Sequence, residues 1–181
     1  PFGVAAVLSP WNYPLQLSLI PLIDAIAAGN CVVLKPSQQS VHTSAFLEQL
    51  CREVFDPHYF VCLHGSNEMN NWILEVSFDK IMFTGSPGVG KKIMAHAAES
   101  LTSVTLELGG KNPLFITEDA DLRRAGERVA WGKCLNSGQT CVAPDYALVH
   151  EKVVDEFIRE LARSIHDYYG PEPLKSPDYP H

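Results

Sequence analysis

Short, continuous apolar runs alternate along this chain with stretches of helical period, and no other feature constrains the fold as tightly. Cys31 to Leu34 is apolar at every position. Such a run suits a strand buried on both faces of a parallel sheet. Gly3–Leu8, Tyr59–Leu63, Ile81–Thr84, Val104–Leu108, Leu114–Ile116 and Tyr146–Val149 read as further strands. Helical segments lie between them. One runs towards Ala28 and stops at Gly29-Asn30, a C-cap signal. In residues 44–55, Phe46, Leu47, Leu50, Cys51, Val54 and Phe55 share a face opposite Glu48, Gln49, Arg52 and Glu53. Helices are also expected after Gly90 through Ala98 and from about Asp121 to Lys133. A last one covers 151–168, with Val154, Phe157, Ile158, Leu161 and Ile165 on one side. This alternation predicts an α/β fold, a Rossmann-like doubly wound parallel sheet. The glycine pair Gly109-Gly110 permits a sharp change of direction, so a lobe boundary falls near Glu107. The expected division is 1–107, 108–170 and an irregular, frayed tail over 171–181.

The 181 residues carry 21 acidic and 14 basic side chains, a net charge of −7. That balance argues against a nucleic-acid partner, whose protein footprint is usually basic. With 46% hydrophobic and 19% charged residues the chain is expected to be globular. Leu15 to Ala28, the most apolar stretch, is interrupted by Pro21 and Asp24 and is too short to span a bilayer. No secretory signal is visible, and the chain begins at Pro1, so a missing true N-terminus is expected. The five cysteines are odd in number and form no CxxC pair. A reducing, cytoplasmic compartment is therefore the expectation, without a disulfide framework. The seven histidines are scattered, and no metal site is expected.

Four features carry possible chemistry. Gly85-x-x-x-x-Gly90-Lys91 lies between a strand and a helix and matches most of a phosphate-binding loop. Lys92 stands where such a loop needs Ser or Thr for magnesium, so phosphate placement at a helix start fits better than nucleotide hydrolysis. A plain βα turn is the competing reading of the same glycines. Cys141 follows the polar stretch Asn136-Ser137-Gly138-Gln139-Thr140. A thiol on such a loop is reachable, as a nucleophile must be, although a lone cysteine is more often a small buried hydrophobe. Cys31, Cys51, Cys62 and Cys134 fit that second role. Glu107 sits at an apolar strand end. Either it faces solvent, or burial raises its pKa and it can act as a base. Asn12 is an ordinary turn residue whose amide can also donate to an oxyanion.

In this order the motifs resemble the aldehyde dehydrogenase superfamily. The matching stretches are Pro10-Trp11-Asn12-Tyr13-Pro14, Val33-Leu34-Lys35-Pro36-Ser37 and Phe83-Thr84-Gly85-Ser86 with Gly90. They continue with Leu106-Glu107-Leu108-Gly109-Gly110-Lys111-Asn112-Pro113 and Gly138-Gln139-Thr140-Cys141. Ser137 to Tyr146 is similar to the class 3 branch, which includes fatty and medium-chain aldehyde enzymes. The resemblance implies a Rossmann-like NAD(P)-binding lobe followed by the start of an α/β catalytic lobe. It implies oxidation of an aldehyde, medium- or long-chain, to an acid. Cys141 would be the nucleophile, Asn12 the oxyanion donor and Glu107 the base. NAD or NADP would contact Lys35, Gln38, Gly85, Ser86 and Gly90, with Leu108 and Gly109 beside the nicotinamide. Homodimers are implied for full-length members.

Two departures stand out. Gln38 occupies a position that usually holds Glu in class 3, and loss of that carboxylate predicts that NADP is tolerated beside NAD. The chain is also far shorter than family members, so it is expected to be truncated at both ends, without the N-terminal helices, most of the catalytic lobe and the dimerisation segment. The alternatives are a P-loop nucleotide hydrolase built on Gly85 to Lys91 and a non-catalytic dinucleotide-binding fragment.

Overall fold

The computed structural model describes every residue except 66–68, 70–72, 74, 180 and 181. The chain divides into two compact units, Pro1–Leu108 and Gly109–His181.

The first unit is built on five parallel strands, β1 (Val4–Leu8), β2 (Cys31–Lys35), β3 (Phe60–Cys62), β4 (Lys80–Gly85) and β5 (Ser103–Leu108). Their order in the sheet is β3-β2-β1-β4-β5. The chain therefore builds outward from β1 on one side, then returns to pair β4 on the other. Helices α1 (Gln16–Ala27), α2 (Val41–Val54) and α3 (Pro87–Glu99) are described along their whole length. Side chains alternate across β1, so Val7 enters a core with Leu22, Val32, Leu34, Cys51 and Phe60, while Ala6 enters another with Ile81, Phe83, Ile93 and Ala97. Apolar material on both faces is the physical reason these strands read as continuous apolar runs. The doubly wound α/β expectation is met.

Details of the helical faces differ from the sequence pattern. On α2 the buried line is Ser44, Leu47 and Cys51, and Phe46 and Val54 are exposed. Ser44 tolerates burial because its hydroxyl donates to the Ser37 carbonyl at 2.7 Å. The stretch Gly85 to Gly90 is not a loop. β4 ends at Gly85, Ser86 caps α3 by accepting from Val89 N at 3.4 Å, and Pro87 is the first helical residue. A one-residue turn cannot wrap a triphosphate, so the P-loop hydrolase reading falls.

The second unit pairs β6 (Asn112–Ile116) with β7 (Pro144–Val149) in parallel, joined through α4 (Leu122–Cys134) as a parallel pair requires. The long helix α5 (Val154–Tyr169) follows. Phe157 and Ser164 form its buried line, whereas Ile158 is exposed. A Cβ on Gly126 would meet the Glu160 carbonyl carbon at 2.8 Å, so α4 and α5 approach closely there. Leu108 belongs with the first unit because it closes the β4–β5 ladder opposite Gly85. The expected frayed tail is docked through Tyr179, whose ring meets Tyr169 edge-on at 5.4 Å, and Ser176 is buried. The last two residues of the tail lie outside the described residues. Among the described residues no helix is long and apolar enough to cross a membrane.

Candidate functional site

All five strands of the first sheet are parallel, so their carboxyl ends share one edge. Strand order reverses between β1 and β4, and ligands of open α/β sheets bind outside the carboxyl ends at such a reversal. A cavity of about 390 Å³ lies there. Its wall combines Leu8 to Trp11 after β1, Lys35 to Gln39 after β2, and Phe83 to Ser86 at the end of β4. Val89, Lys92 and Ile93 of α3 complete it, with Ile73 behind. The walls are tied together. Ser9 N donates to the Lys35 carbonyl at 3.1 Å, and the Ser40 hydroxyl donates to the Trp11 carbonyl at 3.2 Å.

Lys35 is the unusual residue of this cavity. It is 6% exposed, and its ammonium donates to the Pro36 carbonyl at 3.2 Å. Burial pushes its pKa below the ordinary lysine value, slightly offset by the Cys62 thiol. A buried ammonium with one carbonyl partner and two remaining protons suits a ligand rich in oxygen. The helix start at Ser86–Pro87 lies on the same wall and favours negative charge. The residues present therefore fit a dinucleotide.

Of the residues named from sequence, Lys35, Gln38, Gly85 and Ser86 meet on this cavity. Asn12 is half-buried in the bend just after Trp11. Gly90 is not on the cavity wall. A Cβ there would meet Leu108 at 3.0 Å and Leu106 at 3.6 Å, so its role is to let α3 lie close on β5. Glu107 pairs in register with Thr84 at the carboxyl edge and is exposed, so facing solvent is the observed alternative. Leu108 is half-buried beside it. The sequence reading missed Lys92, Ser37, Gln39 and Trp11 as cavity residues. Val89, Lys92 and Ile93 at i, i+3 and i+4 are the signal that would have found Lys92, once the helix start was placed at Pro87.

In the second unit Cys141 is half-buried and follows a strained turn. Asn136, Ser137 and Gly138 adopt positive φ of 51°, 54° and 75° in succession. Left-handed backbone costs non-glycine residues about 1–2 kcal/mol each, and such strain clusters at functional sites. Gln139 N donates to the Asn136 carbonyl at 3.0 Å, and so does the Gln139 side-chain amide at 3.0 Å. Beyond the cysteine, the Asn112 amide donates to the carbonyls of Cys141 at 2.8 Å and Ala143 at 3.0 Å. Both the approach to Cys141 and its exit are held. Gly109 is exposed at the start of this unit. The other thiols are placed differently. Cys51 is buried, and burial, helped by charge at Cys51 and Glu48, pushes the Cys62 thiol up to about 12. Neither suits a nucleophile.

Comparison with known proteins identifies the family. Residues 1–176 match the family described as "Aldehyde dehydrogenase family". The chain is similar to mouse aldehyde dehydrogenase family 3 member B2, 47% identical across 98% of this chain and 37% of that protein. It is also 47% identical to the mouse "Aldehyde dehydrogenase, dimeric NADP-preferring", over 99% of this chain and 40% of that one. Among solved structures, the substrate-bound state of Staphylococcus aureus AldH superposes with a TM-score of 0.93 at 43% identity, over 99% of this chain and 39% of that one. An indole-3-acetaldehyde dehydrogenase complexed with NAD+ gives a TM-score of 0.87 at 33% identity, over 99% of this chain and 37% of the other. The chain thus spans about two-fifths of the length of these relatives.

Proposed function

The chain belongs to the aldehyde dehydrogenase family, and on that premise we propose that it carries the dinucleotide cleft and the catalytic thiol of an enzyme oxidising an aldehyde to a carboxylic acid. The observation that carries this reading is the cavity at the β1/β4 reversal with the buried Lys35 ammonium on its wall. Lys35 and Gln38 would hold the adenosine ribose. The Ser86–Pro87 helix start would take the pyrophosphate side. Leu108 and Gly109 would lie beside the nicotinamide.

Cys141 Sγ, as thiolate, attacks the aldehyde carbon and forms a thiohemiacetal. The Asn12 side-chain amide and the Cys141 N–H donate to the oxyanion, and such donors are worth about 3 kcal/mol each. NAD or NADP held in the cleft would supply the hydride acceptor that this oxidation requires. Glu107 then removes a proton from water, which hydrolyses the Cys141 thioester and releases the acid. Its place in the Leu106–Gly110 motif supports this role for Glu107, not burial, since the side chain is exposed. Residues 1–107 form the cofactor lobe, 108–170 the start of the catalytic lobe. Medium- or long-chain aldehydes are the substrates, a homodimer the full-length assembly, and the cytoplasm the compartment that keeps Cys141 reduced.

The test is formation of NAD(P)H from a medium-chain aldehyde by the chain and two variants. The parent is expected to form NAD(P)H, Cys141→Ser to form none, and Glu107→Gln to give a burst followed by a slow steady state. A Cys141→Ser protein as active as the parent would overturn the assignment.

A further inference from the structure

We propose that Lys92, which lines the same cleft as Gln38, recognises a phosphate monoester on the ribose of the bound dinucleotide and so sets a preference for the 2′-phosphorylated cofactor. The inference rests on the cleft being a dinucleotide site. Three observations carry it. First, the wall of the cavity contains two lysines, Lys35 and Lys92, and among its described residues no Asp or Glu. In a chain of net charge −7 this is a local reversal of sign, and a low-dielectric cleft concentrates such a field on anions. Second, Val89, Lys92 and Ile93 share the face of α3 that lines the cavity, so the Lys92 stem runs along that wall. Among the described residues Lys92 has no ion-pair partner. Third, Lys92 is six residues past Ser86, about 9 Å along the helix axis at ~1.5 Å per residue. The backbone amides at the helix start serve phosphate at their own end. Lys92 stands beyond them and lines one cavity with Ser37, Gln38 and Gln39.

Gln38, on the lining of the same cavity, agrees with this assignment. Gln38 is neutral, so no carboxylate opposes a second dianion there. A phosphate monoester brings about −1.5 to −2 charges at pH 7, with three acceptor oxygens, and Lys92 supplies a mobile ammonium for it.

The experiment is calorimetric titration of the full chain with 5′-AMP and with adenosine 2′,5′-bisphosphate, which differ only by the 2′-phosphate. The parent, Lys92→Met and Lys92→Arg are compared, with circular dichroism as the folding control. Lys92 is exposed and Met is a good helix former, so the fold should survive. In the parent the bisphosphate is expected to bind more tightly than 5′-AMP, by a margin that shrinks as salt is raised. Lys92→Met should weaken the bisphosphate about fivefold while leaving 5′-AMP within about twofold, and Lys92→Arg should restore most of the difference. Equal weakening of both ligands, or none, would overturn the role of Lys92 and leave the dinucleotide site standing. Failure of the parent to bind either nucleotide would overturn the site itself, and this inference with it.

Discussion

The side-chain amide of Asn112 donates to the backbone carbonyl of Cys141 at 2.8 Å and so fastens the cysteine turn to the first residue of β6. The second proton of that amide reaches the Ala143 carbonyl at 3.0 Å. One residue thereby satisfies two carbonyls of a segment that has no ladder of its own until Pro144. Replacement by Ala leaves both acceptors short of a donor, at a cost of about 1–3 kcal/mol. Asn112→Ala should lower the urea midpoint and speed alkylation of Cys141 several-fold, as local opening becomes easier. Asn112→Asp should be worse, because a carboxylate faces the same two oxygens. Unchanged labelling and midpoint in both variants would show that the clamp does not hold the turn.

The thiols should separate by reactivity. Burial holds Cys62 protonated well above the ordinary thiol range, up to about 12, and raises Cys51 as well. Thiolate is the reactive form, so Cys141 should label ahead of both in a mass-mapped iodoacetamide time course at pH 8. The linkage has a definite sign. Between the ordinary 9.0 and about 12, the folded protein keeps a proton on Cys62 that the unfolded chain has lost. Stability therefore falls as pH rises through that window. The parent should lose stability relative to Cys62→Ala over that range, and parallel curves would sink the prediction.

Two glycines on α4 should respond oppositely to the same substitution. A Cβ at Gly126 would lie 2.8 Å from the Glu160 carbonyl carbon and 2.9 Å from its oxygen, both backbone atoms that cannot swing away. Gly126→Ala should cost about 1–3 kcal/mol despite the better helix propensity. At Gly132 the nearest atom is Pro144 Cδ at 3.7 Å, an ordinary contact. Gly132→Ala should be stabilising by up to about 1 kcal/mol. Chemical denaturation of the pair decides this, and equal effects would count against close packing at Gly126.

Cofactor choice should turn on Gln38. With a neutral amide on the cleft wall and Lys92 lining the same cavity, the parent should bind NADP at least as tightly as NAD, and a preference for NAD above about a hundredfold, roughly 2.7 kcal/mol, would sink this. Gln38→Glu places a carboxylate where it accepts from a ribose 2′-hydroxyl and repels a 2′-phosphate. It should weaken NADP binding about tenfold or more relative to NAD. Dissociation constants for both dinucleotides, measured on both proteins, provide the check.

Part of this protein was legible in the order of its residues. The strand at 31–35 follows from an apolar run, because a segment covered on both faces has no polar side to show. The C-cap at Gly29, with φ of +82°, follows from a local steric rule. Lys35, Gln38, Gly85 and Ser86 were named from motifs and do line one cavity. Other features resisted. Phe46 and Val54 look like core by periodicity yet are exposed, since the face that packs is set by the sheet beneath and Ser44 can be buried once Ser37 accepts its proton. The glycines of 85–90 look like a loop until Pro87 is seen to start a helix.

The amino-acid order alone determined the alternation of strand and helix, the doubly wound class and the chemical kinds of residue available, because these depend on hydrophobicity and backbone preferences acting over a few positions. The tertiary structure alone decided that Lys92 lines one cavity with Lys35 and Gln38, that Gly90 serves packing against Leu108, and that Asn112 grips Cys141. Those relations join segments distant in the chain. They follow from strand order, register and the approach of helices to the sheet, which no local pattern encodes.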